Sequence, residues 1–138
     1  MFSKNASGDG VALPPQGVYH IRVGSRRYLV EHENGINLFF ENSLRRGLFN
    51  LSHNTDDRTI SLFSLARNEY VRAFSSGIYF SEYGEIAKFQ LCKPKMTSTN
   101  GGVMILLNMK FLEASESVIN LHDSDEKASL FEFVPVQE

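Results

Sequence analysis

The feature that most constrains the fold of this sequence is an arrangement of apolar residues that occurs three times, at intervals of about 40 residues. It is visible in the segments YLVEHENGI (28–36), YVRAFSSGI (70–78) and FLEASESVI (111–119). Four positions recur in every copy, namely Tyr28/Tyr70/Phe111, Ile36/Ile78/Ile119, Leu38/Phe80/Leu121 and Phe49/Phe89/Phe131. Such a period indicates that one structural unit is used three times to build a shared core.

Within each copy, apolar and polar residues alternate, as in YHIRV (19–23), TISLF (59–63) and FEFV (131–134). A period of two is typical of strands whose alternate side chains point inward. Residue pairs that favour turns lie between these segments, at Gly24-Ser25, Asn34-Gly35 and Ser76-Gly77. We therefore predict four short strands in each copy.

Three four-stranded copies predict a β-trefoil, because units closing around a pseudo-threefold axis can pool their apolar positions in one core. A propeller typically needs at least four blades, and repeats of this length in helical solenoids would not show a period of two. With 138 residues, the chain has the size of one domain. We predict a flexible or extended arm over 1–16 and a domain over 17–138, with copies near 17–57, 58–101 and 102–138.

The segments RRYLVEHENGINL (26–38) and MKFLEASESVINL (109–121), each followed by a polar loop and a closing Phe, carry a family resemblance. Over residues 17–133, the pattern resembles the repeat of fascin-like trefoils, including the histidine-rich actin-binding trefoils. The resemblance implies a β-trefoil and a binding function with actin as the partner. The chain has four scattered histidines, fewer than a histidine-driven pH switch would need, at His20, His32, His53 and His122.

Charge is distributed unequally among the copies. Residues 17–51 carry a net charge of +2, residues 58–91 carry +1 and residues 102–133 carry −4. The candidate partner-binding residues are the arginines of the first copy, Arg26, Arg27, Arg45 and Arg46. Arginine is favoured at protein interfaces for its planar set of donors, so we expect these side chains to bind an acidic protein surface. An acidic third copy opposite a basic first copy also favours head-to-tail self-association.

The remaining composition argues against several classes of function. A net charge of −2 excludes the broad basic surface that nucleic acids and anionic membranes attract. The single cysteine, Cys92, rules out an internal disulfide framework. Because the sequence also has no apolar run long enough to span a bilayer, we predict a cytoplasmic location. No nucleophile, nucleotide-binding or zinc-ligand motif is present, so we expect neither an enzyme nor a metal or organic cofactor. The acidic run 123–126 is interpreted as a solvated connection.

The sequence therefore predicts a non-enzymatic binding module, with a protein as partner and actin as the family-based expectation. A carbohydrate-binding lectin is the alternative. It would have to be of a type other than the ricin lectins, because their Gln-x-Trp motif cannot occur in a chain without tryptophan. A protease inhibitor that presents one loop is the third possibility.

Overall fold

The computed structural model describes residues 12–24, 27–32, 35–40, 47–74, 77–79, 84–94, 102–115 and 118–136. Across these ranges the chain forms fourteen strands, one 3-10 helix (Asp125–Lys127) and no α-helix, which confirms the predicted all-β class. The strands are β1 Gly17–Val23, β2 Arg27–His32, β3 Gly35–Phe40, β4 Phe49–Asn54, β5 Thr59–Ser64, β6 Glu69–Tyr70, β7 Arg72–Phe74, β8 Gly77–Tyr79, β9 Glu85–Ile86, β10 Phe89–Cys92, β11 Met104–Leu107, β12 Lys110–Ser115, β13 Val118–His122 and β14 Phe131–Pro135. No described segment is a helix long and apolar enough to cross a bilayer.

The strands are joined by antiparallel pairing. The longest path through the main sheet runs β13-β12-β11-β10-β5-β4-β1-β2-β3, with β6 beside β5 and β14 beside β1. Val103, which lies just before β11, forms a bridge to Phe131 at the start of β14. This bridge has two backbone hydrogen bonds, of 2.9 and 2.7 Å. A smaller sheet of three strands has the order β8-β7-β9.

The hairpin of β4 and β5 shows how local sequence fixes a turn. Its carboxylate at Asp57 accepts hydrogen bonds from the backbone N–H and the hydroxyl of Thr59, at 3.2 and 2.7 Å. Between them, Arg58 adopts a left-handed backbone with a φ of 57°. The Asn54 amide donates to the hydroxyls of Thr59 and Ser61, both at 3.0 Å. These bonds satisfy the polar groups that the hairpin partly buries.

The alternating residues of the main sheet enclose one core. The recurring phenylalanines Phe49, Phe89 and Phe131 are all buried, as their period predicts. Of the recurring isoleucines, Ile78 and Ile119 are partly buried and pack against this core, whereas the Ile36 side chain lies outside what the structure describes. The repeat pattern thus locates the most deeply buried side chains correctly.

The end of the predicted N-terminal arm makes defined contacts with the sheet. The Tyr19 hydroxyl donates to the carbonyl of Pro15 at 2.6 Å, and the His53 ring Nε2–H donates to that of Pro14 at 2.7 Å. The His53 backbone N–H also donates to Oε1 of Gln16 at 2.8 Å. Residues 14–16 therefore lie along β1 and β4, while the domain boundary at residue 16 stays a prediction.

Candidate binding cleft

An open cleft of about 860 Å³ lies between the small sheet and the turn that joins β11 to β12. This volume lies within the range of small-molecule and peptide pockets, roughly 300–1,000 Å³. Its described lining combines two cations, a carboxylate, an amide and apolar groups. The lining residues are Arg72, Ala73, Gly84, Glu85, Ile86, Lys88, Leu107 and Asn108.

Strand pairing determines which of these side chains lie together. Arg72 of β7 pairs with Ile86 of β9, and Ala73 pairs with Glu85. Directly opposed residues of an antiparallel pair share a face, and successive residues alternate between faces. Arg72 and Ile86 are therefore neighbours on one face, whereas Glu85 lies on the other. Ile86 is an exposed apolar residue, with 37% of its surface accessible.

The guanidinium of Arg72 is held by the backbone. Its Nη1 donates to the carbonyl of Gly84 at 2.7 Å. Its Nε is buried and has no hydrogen-bond partner among the described residues. None of the carboxylates that the structure describes forms a salt bridge with it. Arg72 is thus oriented by a neutral acceptor.

Lys88, the second cation of the cleft, has an acidic neighbour. Its Nζ lies 3.6 Å from Oδ2 of Asp57, in the turn between β4 and β5. The hydrogen bonds from Thr59, followed by the charge of Lys88, lower the pKa of Asp57 below its ordinary value. Asp57 therefore remains ionised down to low pH and offsets part of the Lys88 charge.

The turn between β11 and β12 forms the other side of the cleft. Asn108 and Met109 have φ values of 53° and 70°, and they lie between the paired residues Leu107 and Lys110. Positive φ at both central residues is the type I′ hairpin geometry, which favours Asn followed by Gly. Met109 occupies the glycine position and is 78% exposed. A bulky side chain in this conformation is strained, and such residues cluster at functional sites.

A second arginine, Arg22 of β1, provides a contrast with Arg72. Its Nη2 lies 2.6 Å from Oε1 of Glu132 on the neighbouring strand β14. The hydrogen bond that Arg22 donates to Glu132 is the main reason that the pKa of Arg22 is raised. In the β1 region, therefore, the chain supplies its own carboxylate to an arginine.

Acidic groups of the third copy are also paired within the chain. In the β12–β13 hairpin, Lys110 Nζ lies 2.6 Å from Oδ1 of Asp123, and His122 Nε2 lies 2.5 Å from Oε1 of Glu113. The hydrogen bond from Lys110 lowers the pKa of Asp123, and that from His122 lowers the pKa of Glu113. Two of the six acidic side chains of this copy therefore have partners within the hairpin, and its net charge, which already counts Lys110, stays at −4.

Of the four arginines that the sequence proposes as a site, only Arg27 falls within the described residues. It lies on β2, where it pairs with Val23 and Phe40, and its side chain is half-buried. Arg26, Arg45 and Arg46 lie outside the described residues, so this cluster stays a prediction.

The cleft residues were not predicted from the sequence. Arg72 and Lys88 are separated in the chain and belong to no motif, and only the return of the chain to form β9 brings them to one cavity. The Asn-Met pair at the turn lacks the glycine that marks turns elsewhere. Within the described residues, no group of three or more His, Cys, Asp or Glu side chains is placed to hold a metal ion.

No protein-family model matches this sequence, and no curated protein is significantly similar to it. Several solved structures do match. One is the cytolethal distending toxin of Actinobacillus actinomycetemcomitans, with a TM-score of 0.64, 10% identity, and coverage of 88% of this chain and 94% of that one. A second is a salivary protein of Culex quiquefasciatus from the Cysteine and Tryptophan-Rich family, with a TM-score of 0.64, 13% identity and coverage of 91% and 98%.

A third match is the cytolethal distending toxin of Haemophilus ducreyi, with a TM-score of 0.63, 12% identity, and coverage of 97% of this chain and 95% of that one. At such low identity, these likenesses concern the fold alone. They span nearly the whole of each chain, so the whole described domain shares this arrangement.

These matches correct two predictions. The resemblance to fascin-like and histidine-rich actin-binding trefoils is wrong, because the matching structures are toxins and a salivary protein. The resemblance depended on recurring aromatic and aliphatic residues. Packing in the core requires apolar residues at such positions, so they do not identify one family. The predicted cytoplasmic location is also wrong, since the same structures point away from it. A single cysteine was poor evidence, because a domain with a large apolar core needs no disulfide.

Proposed function

We propose that the chain is a β-trefoil that acts as a non-enzymatic protein-binding module, with the cleft beside Arg72 as its binding surface. The trefoil is supported by the pairing of six strands in succession, β1, β4, β5, β10, β11 and β14, with β14 returning to β1. Three hairpins, β2–β3, β7–β8 and β12–β13, accompany this ring, and their second strands contact one another. Three equivalent units around one axis would give this combination of a closed succession of paired strands and three contacting hairpins.

The observation that carries the binding function is the composition of the cleft. Arg72, oriented by Gly84 and without a salt bridge to any described carboxylate, lies next to the exposed Ile86, and the strained, exposed Met109 lies at the adjoining turn. Arginine and methionine are enriched at protein interfaces, and arginine is frequent among the residues that dominate binding energy. Open clefts with a few oriented polar groups among apolar ones are typical binding sites.

Actin loses its support as partner together with the fascin resemblance. The toxin and salivary-protein matches support a search for the partner outside the cell that makes the chain. A neutral sugar is the alternative ligand for the same cleft, because Asn108 and Glu85 offer planar hydrogen-bonding groups there.

The experiment compares two apolar surface pairs on the same protein. Peptides selected by display against the parent protein are titrated against the variant Ile86→Ser with Met109→Ser. They are also titrated against the matched control Leu48→Ser with Leu65→Ser. All four residues are exposed apolar side chains, and only the first pair belongs to the cleft and its turn.

We expect the cleft variant to weaken peptide binding at least tenfold and the control to change it less than twofold. A glycan array probed with the parent protein should stay blank. Equal losses in both variants would contradict the proposal, because the peptides would then recognise apolar surface in general. Specific glycan binding that the cleft variant abolishes would replace it with the lectin function.

A further inference from the structure

We propose that the cleft binds an acidic side chain of an extended peptide, with Arg72 as the ionic anchor for its carboxylate. The inference rests on the proposed protein-binding function and specifies the chemistry of the partner.

The comparison of the two half-buried arginines is the first argument. A guanidinium taken partly out of water is normally paired with a carboxylate, and hydrogen bonds between charged groups are the strongest of their kind. Arg22 has such a partner in Glu132, at 2.6 Å. The Nε of both arginines is buried without a hydrogen-bond partner among the described residues, so the contrast lies in the terminal nitrogens: the Nη1 of Arg72 donates to the carbonyl of Gly84, a neutral group. A ligand can supply the carboxylate that the described residues do not.

The charges around Arg72 are consistent with this assignment. Glu85 is the carboxylate nearest in the strand register, but it lies on the opposite face of β9 and forms no salt bridge with Arg72 within the described chain. The other cation, Lys88, already has Asp57 at 3.6 Å. Arg72 is therefore the cation of the cleft whose charge the described residues do not offset.

The apolar neighbours distinguish a peptide from a small inorganic anion. Ile86 is paired with Arg72 on one face and is 37% exposed, so a ligand that reaches the guanidinium also contacts an aliphatic surface. Glutamate side chains offer a carboxylate on an aliphatic stem, which matches both groups. An isolated inorganic anion would contact only the first.

The test uses a fluorescein-labelled peptide of six glutamates, with a peptide of six glutamines as the neutral probe. Binding is measured by fluorescence anisotropy to the full chain and to four variants: Arg72→Gln, Arg72→Lys, Glu85→Gln and Lys93→Gln. Lys93 is exposed and does not line the cleft, so its variant controls for the loss of one positive charge. Circular dichroism melts confirm that each variant is folded.

We expect Arg72→Gln to weaken binding of the glutamate peptide about tenfold or more, as the loss of a charge-assisted hydrogen bond implies. Arg72→Lys should retain part of the affinity, since the charge remains but the planar donor pair is lost. Glu85→Gln should tighten binding about twofold, and Lys93→Gln should change it less than twofold. The glutamine peptide should bind no variant.

Equal weakening by Arg72→Gln and Lys93→Gln would overturn the inference, because net charge alone would then explain binding. Failure of the parent to bind the glutamate peptide would also overturn it. In that case, the proposed function could still hold. It would be supported if display selection yielded peptides without acidic residues whose binding is lost in the Ile86→Ser, Met109→Ser variant. Selected peptides insensitive to all cleft substitutions would remove both.

Discussion

Two regions of the molecule contain an arginine in a similar setting and use it differently. In the β1 region, Arg22 is paired with Glu132 across two hydrogen-bonded strands. In the cleft, Arg72 is fixed by a carbonyl and faces an open volume, with exposed Ile86 beside it. The two arginines thus differ in whether a described carboxylate offsets their charge, and the proposed role of Arg72 in recognition depends on that difference.

The largest expected effect is a difference in the free energy of unfolding between a variant of the β1 region and a variant of the cleft. Phe131 lies on β14 next to Glu132 and is fully buried, so Phe131→Ala should lower the free energy of unfolding by about 3–5 kcal/mol. The counterpart Ile86→Ala, in the cleft, removes an already exposed side chain and should cost less than about 1 kcal/mol. Urea denaturation of both variants measures the contrast. Similar losses would mean that the cleft is as tightly packed as the β1 region.

The next largest loss of stability is expected on substitution of Gly47, because there is no room for a side chain at this position. A Cβ at this position would lie 2.5 Å from the carbonyl oxygen of Leu29 and 2.6 Å from the Phe49 ring. Gly47→Ala should therefore destabilise the protein by about 1–3 kcal/mol. Gly24→Ala is a suitable control. Its surroundings are open, and only its positive φ of 66° is unfavourable, at a cost of about 1 kcal/mol. A smaller loss at Gly47 than at Gly24 would contradict the close packing of this region.

At the turn beside the cleft, a substitution should raise stability. Met109→Gly places the favoured residue in a left-handed position and should increase the free energy of unfolding by up to about 1 kcal/mol, measured by thermal and urea denaturation. Met109→Ala keeps the unfavourable backbone and should change stability little. A loss of stability in the glycine variant would show that Met109 contributes packing, and the cleft would then resemble the β1 region.

The smallest effect compares the two arginines directly. Arg22→Met leaves Glu132 without its partner, and because this salt bridge is partly exposed, the cost should be about 0.5–1 kcal/mol. Arg72→Met leaves no described carboxylate unpaired and should change stability by less than about 0.5 kcal/mol. The measurement is urea denaturation at low and high salt, where only the Arg22 variant should differ from the parent in its salt dependence. Equal responses would remove the distinction between the regions.

The packing of the fold was predictable from the sequence because burial depends on short-range alternation and on the repeat. Phe49, Phe89 and Phe131 could be assigned to the core from their spacing alone, and all three are buried. The family could not be assigned in this way. Tyr28 is buried, whereas Tyr70 and Phe111 at equivalent positions are only partly so, which shows that the repeat fixes an arrangement rather than one set of contacts.

The cleft was not predictable because it depends on contacts between distant parts of the chain. Arg26, Arg27, Arg45 and Arg46 were predicted as a site because the first copy is positively charged, and the charge of a segment is visible in a sequence. Arg72 has no basic neighbour in the sequence, and the proposal for it rests on the bond to Gly84 and on the lack of a salt bridge to any described carboxylate. An unmet charge becomes recognisable only when the surroundings of the side chain are known.

The pairing of β1 with β14 has a consequence for engineering. Tyr19 lies opposite Pro135, and the backbone N–H of Val136 donates to the carbonyl of Val18 at 3.1 Å. A short linker from residue 136 to residue 17 would thus preserve every strand pair, and new chain ends could be opened between Asn108 and Met109. Such a circular permutant would relieve the strained turn and would place a fused reporter directly at the mouth of the cleft.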